Sequence, residues 1–141
     1  MNNIILFKSK KHILVEENYN EFIKFCRYQL SGLTQTQDWE QYAWKGYVTF
    51  RKIGIGNKIF DSIDAMHEDY INFAKAYIRY QHTLKPLKNY GVIMMALRCF
   101  EQALLQVQNT GLIYNVTAVV FDEAMQIGSK YFEGNVLRSE E

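Results

Sequence analysis

The stretch Tyr70–Leu105, YINFAKAYIRYQHTLKPLKNYGVIMMALRCFEQALL, reads as two helices joined at Pro86, the only proline in the chain. Met66, Tyr70, Phe73, Ala74, Tyr77 and Ile78 recur at helical spacing and form one apolar stripe. The pattern predicts a helix over about residues 64–83, with Asp61, Ser62 or Asp64 as its N-cap. A residue before proline is pushed out of the helical region, so this helix ends ahead of Pro86. Pro86 itself suits the first turn of a second helix, about 87–108, where its missing N–H costs nothing. Tyr90, Ile93, Leu97, Phe100, Leu104 and Val107 form the stripe of that helix, and Asn109-Thr110-Gly111 ends it. Gly91 within it costs ~1 kcal/mol relative to alanine, which points to close packing or a frayed first turn.

The charges in this stretch carry one sign. Between Asp69 and Glu101 there is no acidic residue, while Lys75, Arg79, Lys85, Lys88 and Arg98 are all basic. A solvated helix face ordinarily mixes signs for pairing between successive turns. Lys75, Arg79 and His82 lie on the side opposite the apolar stripe, so the pair of helices is expected to meet an anionic partner, with phosphate the fitting chemistry. Residues 45–60 add Lys45, Arg51, Lys52 and Lys58 with no acid, whereas the chain from Glu101 onward is mainly acidic. The net charge of +1 conceals this segregation.

Working outward, residues 3–7 (NIILF) and 12–15 (HILV) are expected as short strands around the basic turn KSKK. Asn18 with Glu21 then reads as a capping pair opening a helix through Tyr19, Phe22, Ile23, Cys26 and Leu30, which Gly32 ends. Trp39 and Trp44 are expected as core anchors. The segment GYVTF reads as a strand, and GIGN followed by KIF suggests a small hairpin over 46–60. Thr117 is a candidate cap for a last helix, about 117–132, with Val120, Phe121, Ala124, Met125 and Gly128 inward and a frayed polar tail after it. These elements divide into an N-terminal region, 1–63, a helical unit, 64–132, and a tail, 133–141, packed as one body.

With 141 residues and 48% hydrophobic content, the chain can bury a substantial core. No apolar run reaches the ~20 residues of a membrane span, and Ile4–Phe7 is too short for a signal sequence, so a cytoplasmic protein is expected. Cys26 and Cys99 are far apart and read as reduced core residues. His12, His67 and His82 are scattered, and no metal-ligand spacing, phosphate-cradling glycine loop or nucleophile motif is present. The carboxylates Asp61, Asp64, Glu68 and Asp69 gather where a helix begins, which the helix dipole explains without catalysis. No cofactor, metal or small-molecule substrate is implied.

The segment Phe73–Leu104 resembles the amino-terminal region of certain bacterial and phage tyrosine recombinases (integrases). The matching residues are Phe73-Ala74-Lys75-Ala76-Tyr77, Arg79-Tyr80, Lys85-Pro86, Lys88, Ala96-Leu97-Arg98, Glu101 and Ala103-Leu104. Trp44 to Phe50 is similar to the region upstream in that family, and the likeness fades after Phe132. Leu87, Cys99 and Phe100 depart from its pattern at packing positions. The resemblance implies a mainly α protein, a compact helical bundle (the SAM-like core-binding domain), here with a small N-terminal β-hairpin element. It implies double-stranded DNA as the partner, with self-association on DNA, and places Lys75, Arg79, His82, Lys85 and Lys88 on the duplex; the acid-free run adds Arg98. About four or five neutralised phosphates would give a salt slope near −4.

The family's chemistry needs a His-x-x-Arg element, and no histidine here has arginine three positions on. The chain is therefore expected to be non-catalytic, either a domain or a truncated product of a mobile element or prophage serving DNA integration and recombination. A helical protein-interaction module without DNA affinity, built on the aromatic stretch Trp39–Tyr47, is the alternative, and a small enzyme ranks last.

Overall fold

The first glycine is Gly32 and no proline precedes Pro86, so nothing interrupts helical backbone at the start of the chain. In the computed structural model the first helix, α1, runs unbroken over Asn3–Tyr28. The structure describes residues 3–32, 38–45, 48–54, 64–86, 89–114 and 116–140, with side-chain surroundings between Leu14 and Lys130. The strands expected at 3–7 and 12–15 are absent, and Asn18 lies inside α1 instead of opening a helix. Val15, Tyr19, Phe22 and Cys26 share helical spacing, so the apolar face of the second half of α1 simply continues back towards its start.

After α1 the chain forms a short antiparallel pair, β1 (Ala43–Lys45) and β2 (Val48–Thr49), with Ala43 opposite Thr49 and Lys45 opposite Val48. The hairpin therefore sits earlier than the one expected over 46–60, and the KIF segment lies outside the described residues. Burial explains its place: Trp44, Val48 and Phe50 all point into the core. The backbone then runs beside the segment before the second helix, with Phe50 O accepting from Met66 N at 2.9 Å and Asp64 O accepting from Lys52 N at 2.7 Å.

The second helix, α2, spans Glu68–Leu84 and is capped by His67, whose Nδ1 accepts from the Asp69 backbone N–H at 3.1 Å. Asp61 and Ser62 lie outside the described residues, and Asp64 precedes the cap. As the proline requires, α2 stops at Leu84 and Lys85 is extended. The third helix, α3, covers Gly91–Gln108, so Pro86 stays outside it; Asn89 Oδ1 accepts from Gly91 N at 2.8 Å and opens the helix instead. Asn109 closes α3 in the left-handed conformation, φ 53°. The last helix, α4, runs over Ala118–Glu140, through the tail expected to be frayed. Val120 faces inward as expected, but Phe121 and Met125 are exposed, because α4 lies along α3 and only its Val120–Ala124–Ile127 side is covered.

The result is a mainly α, compact helical fold with one small antiparallel sheet. Trp39, Trp44, Val48 and Phe50 join Tyr70, Ala74 and Ile78 of α2 and Met94, Leu97 and Leu104 of α3 in a single core. Helices α1 and α2 run in the same direction. Tyr19 of α1 meets the start of α2, donating to Asp69 O at 3.3 Å, and the end of α1 meets Arg79 near the end of α2. Away from their connection, α2 and α3 are tied from within, where Tyr70 Oη donates to Leu97 O at 2.8 Å.

Candidate functional site

The basic residues that the sequence places on an anionic partner separate into buried and exposed groups. Lys75, Arg79 and Arg98 are only 4%, 5% and 6% exposed, which corrects the expectation that they face a duplex. Each is a buried cation that donates to at least one backbone carbonyl.

Arg79 meets a need created by α1. The last carbonyls of a helix have no partner within it and carry the negative end of its dipole. Arg79 Nη1 donates to Arg27 O at 2.8 Å and to Cys26 O at 3.4 Å, both in the last turn of α1. Its guanidinium carbon lies 5.0 Å from the ring centres of both Trp39 and Trp44, a geometry that favours a planar, weakly hydrated cation. Lys75, one turn earlier, donates from Nζ to Trp39 O at 2.6 Å and lies over the Phe50 ring. Burial lowers the pKa of both cations. Together they hold the tryptophan segment and the end of α1 against α2.

Arg98 does the same on α3. Its Nη2 donates to Thr49 O at 2.9 Å and Thr49 Oγ1 at 3.1 Å, fastening β2. One turn on is Glu101, fully buried. Its Oε2 accepts from the backbone N–H of His67 at the start of α2 and lies 3.4 Å from Lys52 Nζ. Burial raises its pKa; the His67 N–H and the Lys52 ammonium pull the other way. Glu101 is no candidate site residue by sequence motif, although an acid beside the apolar stripe of α3 marks a position that needs an internal partner.

Of the remaining basic residues, His82 and Lys85 sit at the α2–α3 corner. His82 Nδ1 is 2.6 Å from Tyr90 Oη, so its ring braces the corner while staying partly exposed. Lys85 is exposed, directly after α2. Lys88 lies outside the described residues.

A second feature is an apolar groove of about 340 Å³ between α2 and the α3–α4 pair. Phe73 and Tyr77 form one wall, Ile93, Leu97 and Phe100 the other, and Phe121 of α4 closes one side. The aromatic arc of α2 is wider than α3 can cover: Tyr70, Ala74 and Ile78 are buried, while Phe73 and Tyr77 remain partly open. Phe121 and Phe100 stack edge to face with centres 5.3 Å apart. Doubling of the apolar stripe on α2 is the sequence signal for this groove.

Among the described residues no three His, Cys, Asp or Glu side chains come together as a metal site. No helix among them is long and apolar enough to cross a membrane. No protein-family model, curated protein or solved structure matches the chain.

Proposed function

We propose that the chain is a non-catalytic DNA-binding module, akin to the part of a tyrosine recombinase that holds the duplex, or a remnant of such a protein. The observation that carries this reading is the one-signed surface of the α2–α3 corner. The interval from Tyr70 to Phe100 has no carboxylate, and Glu101, which ends it, is buried. Exposed Lys85, partly exposed His82 and, by sequence, Lys88 all fall within that acid-free interval.

Burial of Lys75, Arg79 and Arg98 narrows the footprint. Among the residues of the resemblance, Ala74, Lys75, Ala76, Arg79, Leu97, Arg98 and Glu101 are buried, so the likeness bears mainly on how the chain folds, and phosphate contacts fall to the corner. With about two phosphates neutralised, log K should fall against log[salt] with a slope near −2, half the value expected from the sequence. Fluorescence anisotropy of a labelled duplex across a salt series measures this. Lys85→Glu should weaken binding at every salt concentration without altering the fold. Absence of binding at low salt, or indifference to Lys85→Glu, rules the reading out.

A protein-interaction module is the second reading, and the apolar groove favours it. In that case Lys85→Glu is silent and substitutions in the groove change the state of association.

A further inference from the structure

The ends of α1 and α2 come together, since Arg79 Nη1 donates to Arg27 O at 2.8 Å. Both ends lie in intervals without carboxylates, residues 22–37 on one side and 70–100 on the other. The helices also meet through their rings: Phe22 of α1 and Tyr80 of α2 stack edge to face with centres 5.6 Å apart. From that contact an aromatic surface spreads both ways. On α1, Phe25 and Tyr28 follow Phe22 at successive spacings of three, and they are 47% and 68% exposed. On α2, Leu84 lies one turn beyond Tyr80, and both are exposed. A contiguous exposed apolar surface marks a place of interaction.

Cations are interleaved with these rings. Lys24 precedes Phe25, the Arg27 guanidinium carbon lies 5.2 Å from the centre of the Tyr28 ring, and Lys85 follows Leu84. Glu21 lies 3.9 Å from Lys24, and Glu40 lies 2.6 Å from Arg27. Lys85 is in no ion pair among the described residues, so its charge remains available for a phosphate. A partner that fits this surface carries flat apolar faces and negative charge together. A duplex hides the faces of its bases by stacking them on one another. An unpaired strand offers both, its bases to the rings and its phosphates to the cations.

We propose that Phe25, Tyr28 and Tyr80 form a stacking platform for unpaired bases, and that the chain prefers DNA in which a single strand emerges beside the α2–α3 corner. The phosphate contacts of the corner rest on the proposed DNA-binding function, and the platform specifies the form of DNA that is bound. Lys85, at the junction of corner and platform, serves both.

Fluorescence anisotropy of the full chain at low salt compares a blunt duplex with the same duplex carrying a tail of about ten thymines, a length within the usual site size of single-strand binders. The tailed duplex should bind about tenfold more tightly. Phe25→Ala with Tyr28→Ala removes two exposed rings, so the fold survives, as circular dichroism checks. This double variant should lose the advantage of the tail, whereas Lys85→Glu should weaken binding of both ligands. A 2-aminopurine placed in the tail should be quenched by the native chain, a sign of stacking that charge alone does not produce, and should stay bright with the double variant. Equal affinity for blunt and tailed duplexes, or a tail preference that survives loss of both rings, overturns the platform while leaving duplex binding intact. No binding to either ligand overturns the DNA-binding function together with it. A dimer in sedimentation velocity that Phe25→Ala with Tyr28→Ala dissociates would assign the rings to a second copy and likewise overturn the proposal.

Discussion

Arg79→Ala removes the partner of two terminal carbonyls of α1 and the cation between Trp39 and Trp44. Buried acceptors left without donors cost about 1–3 kcal/mol, and the lost aromatic contact adds to this, so urea denaturation should show a loss of about 2–4 kcal/mol. Arg79→Lys should recover only part, since an ammonium cannot reproduce the planar fork. On the proposed DNA-binding reading, any loss of DNA affinity in these variants should track unfolding alone, unlike the direct effect expected of Lys85→Glu. Glu101 behaves in the opposite sense to a surface carboxylate. Its folded pKa is raised by burial, so the folded state holds the proton more tightly than the unfolded chain does. Its contribution to stability is greatest below the ordinary carboxylate pKa and declines as pH rises through the folded value. Glu101→Gln should remove that decline, which a comparison of urea midpoints between pH 4 and pH 7 would reveal as a flatter profile.

At the scale of elements, boundaries follow local backbone chemistry. Pro86 stops α2, and Asn109 stops α3 by taking the left-handed conformation that closes a helix. Asn109→Ala should therefore cost about 1 kcal/mol, while Asn109→Gly should be near neutral, measured by thermal unfolding. Gly111 follows under a tighter constraint: an added Cβ would lie 2.7 Å from His67 Nδ1, at the cap of α2. The two helices of the Tyr70–Leu105 stretch and their ends are legible in the sequence because spacing and breakers act over a few residues. The start of the chain departs from its expected strands for a related reason. Short apolar runs such as NIILF fit strand and helix equally, and only the uninterrupted backbone up to Gly32 decides for α1. On α4, spacing marks Phe121 and Met125 as core, but one neighbouring helix covers only one side.

Across the molecule, the N-terminal third and the helical unit depend on each other. Lys75 and Arg79 find their buried acceptors at Trp39 O and at Cys26 O and Arg27 O, and Arg98 finds its own at Thr49 of β2. A fragment beginning at Asp64 should consequently lose cooperative thermal unfolding, whereas the full chain should melt in one transition. By itself the sequence determined the helical class, the hinge at Pro86, the buried tryptophans and an interval free of acids, all consequences of residue type and spacing along one chain. Only the tertiary structure decided which positive charges are available to a partner. A lysine or arginine opposite an apolar stripe looks solvated until another segment arrives with unpaired carbonyls, and that arrival depends on residues 36 to 53 positions away. Three cations thereby became supports of the core, and the surface left for recognition contracted to the α2–α3 corner and the open groove beside it.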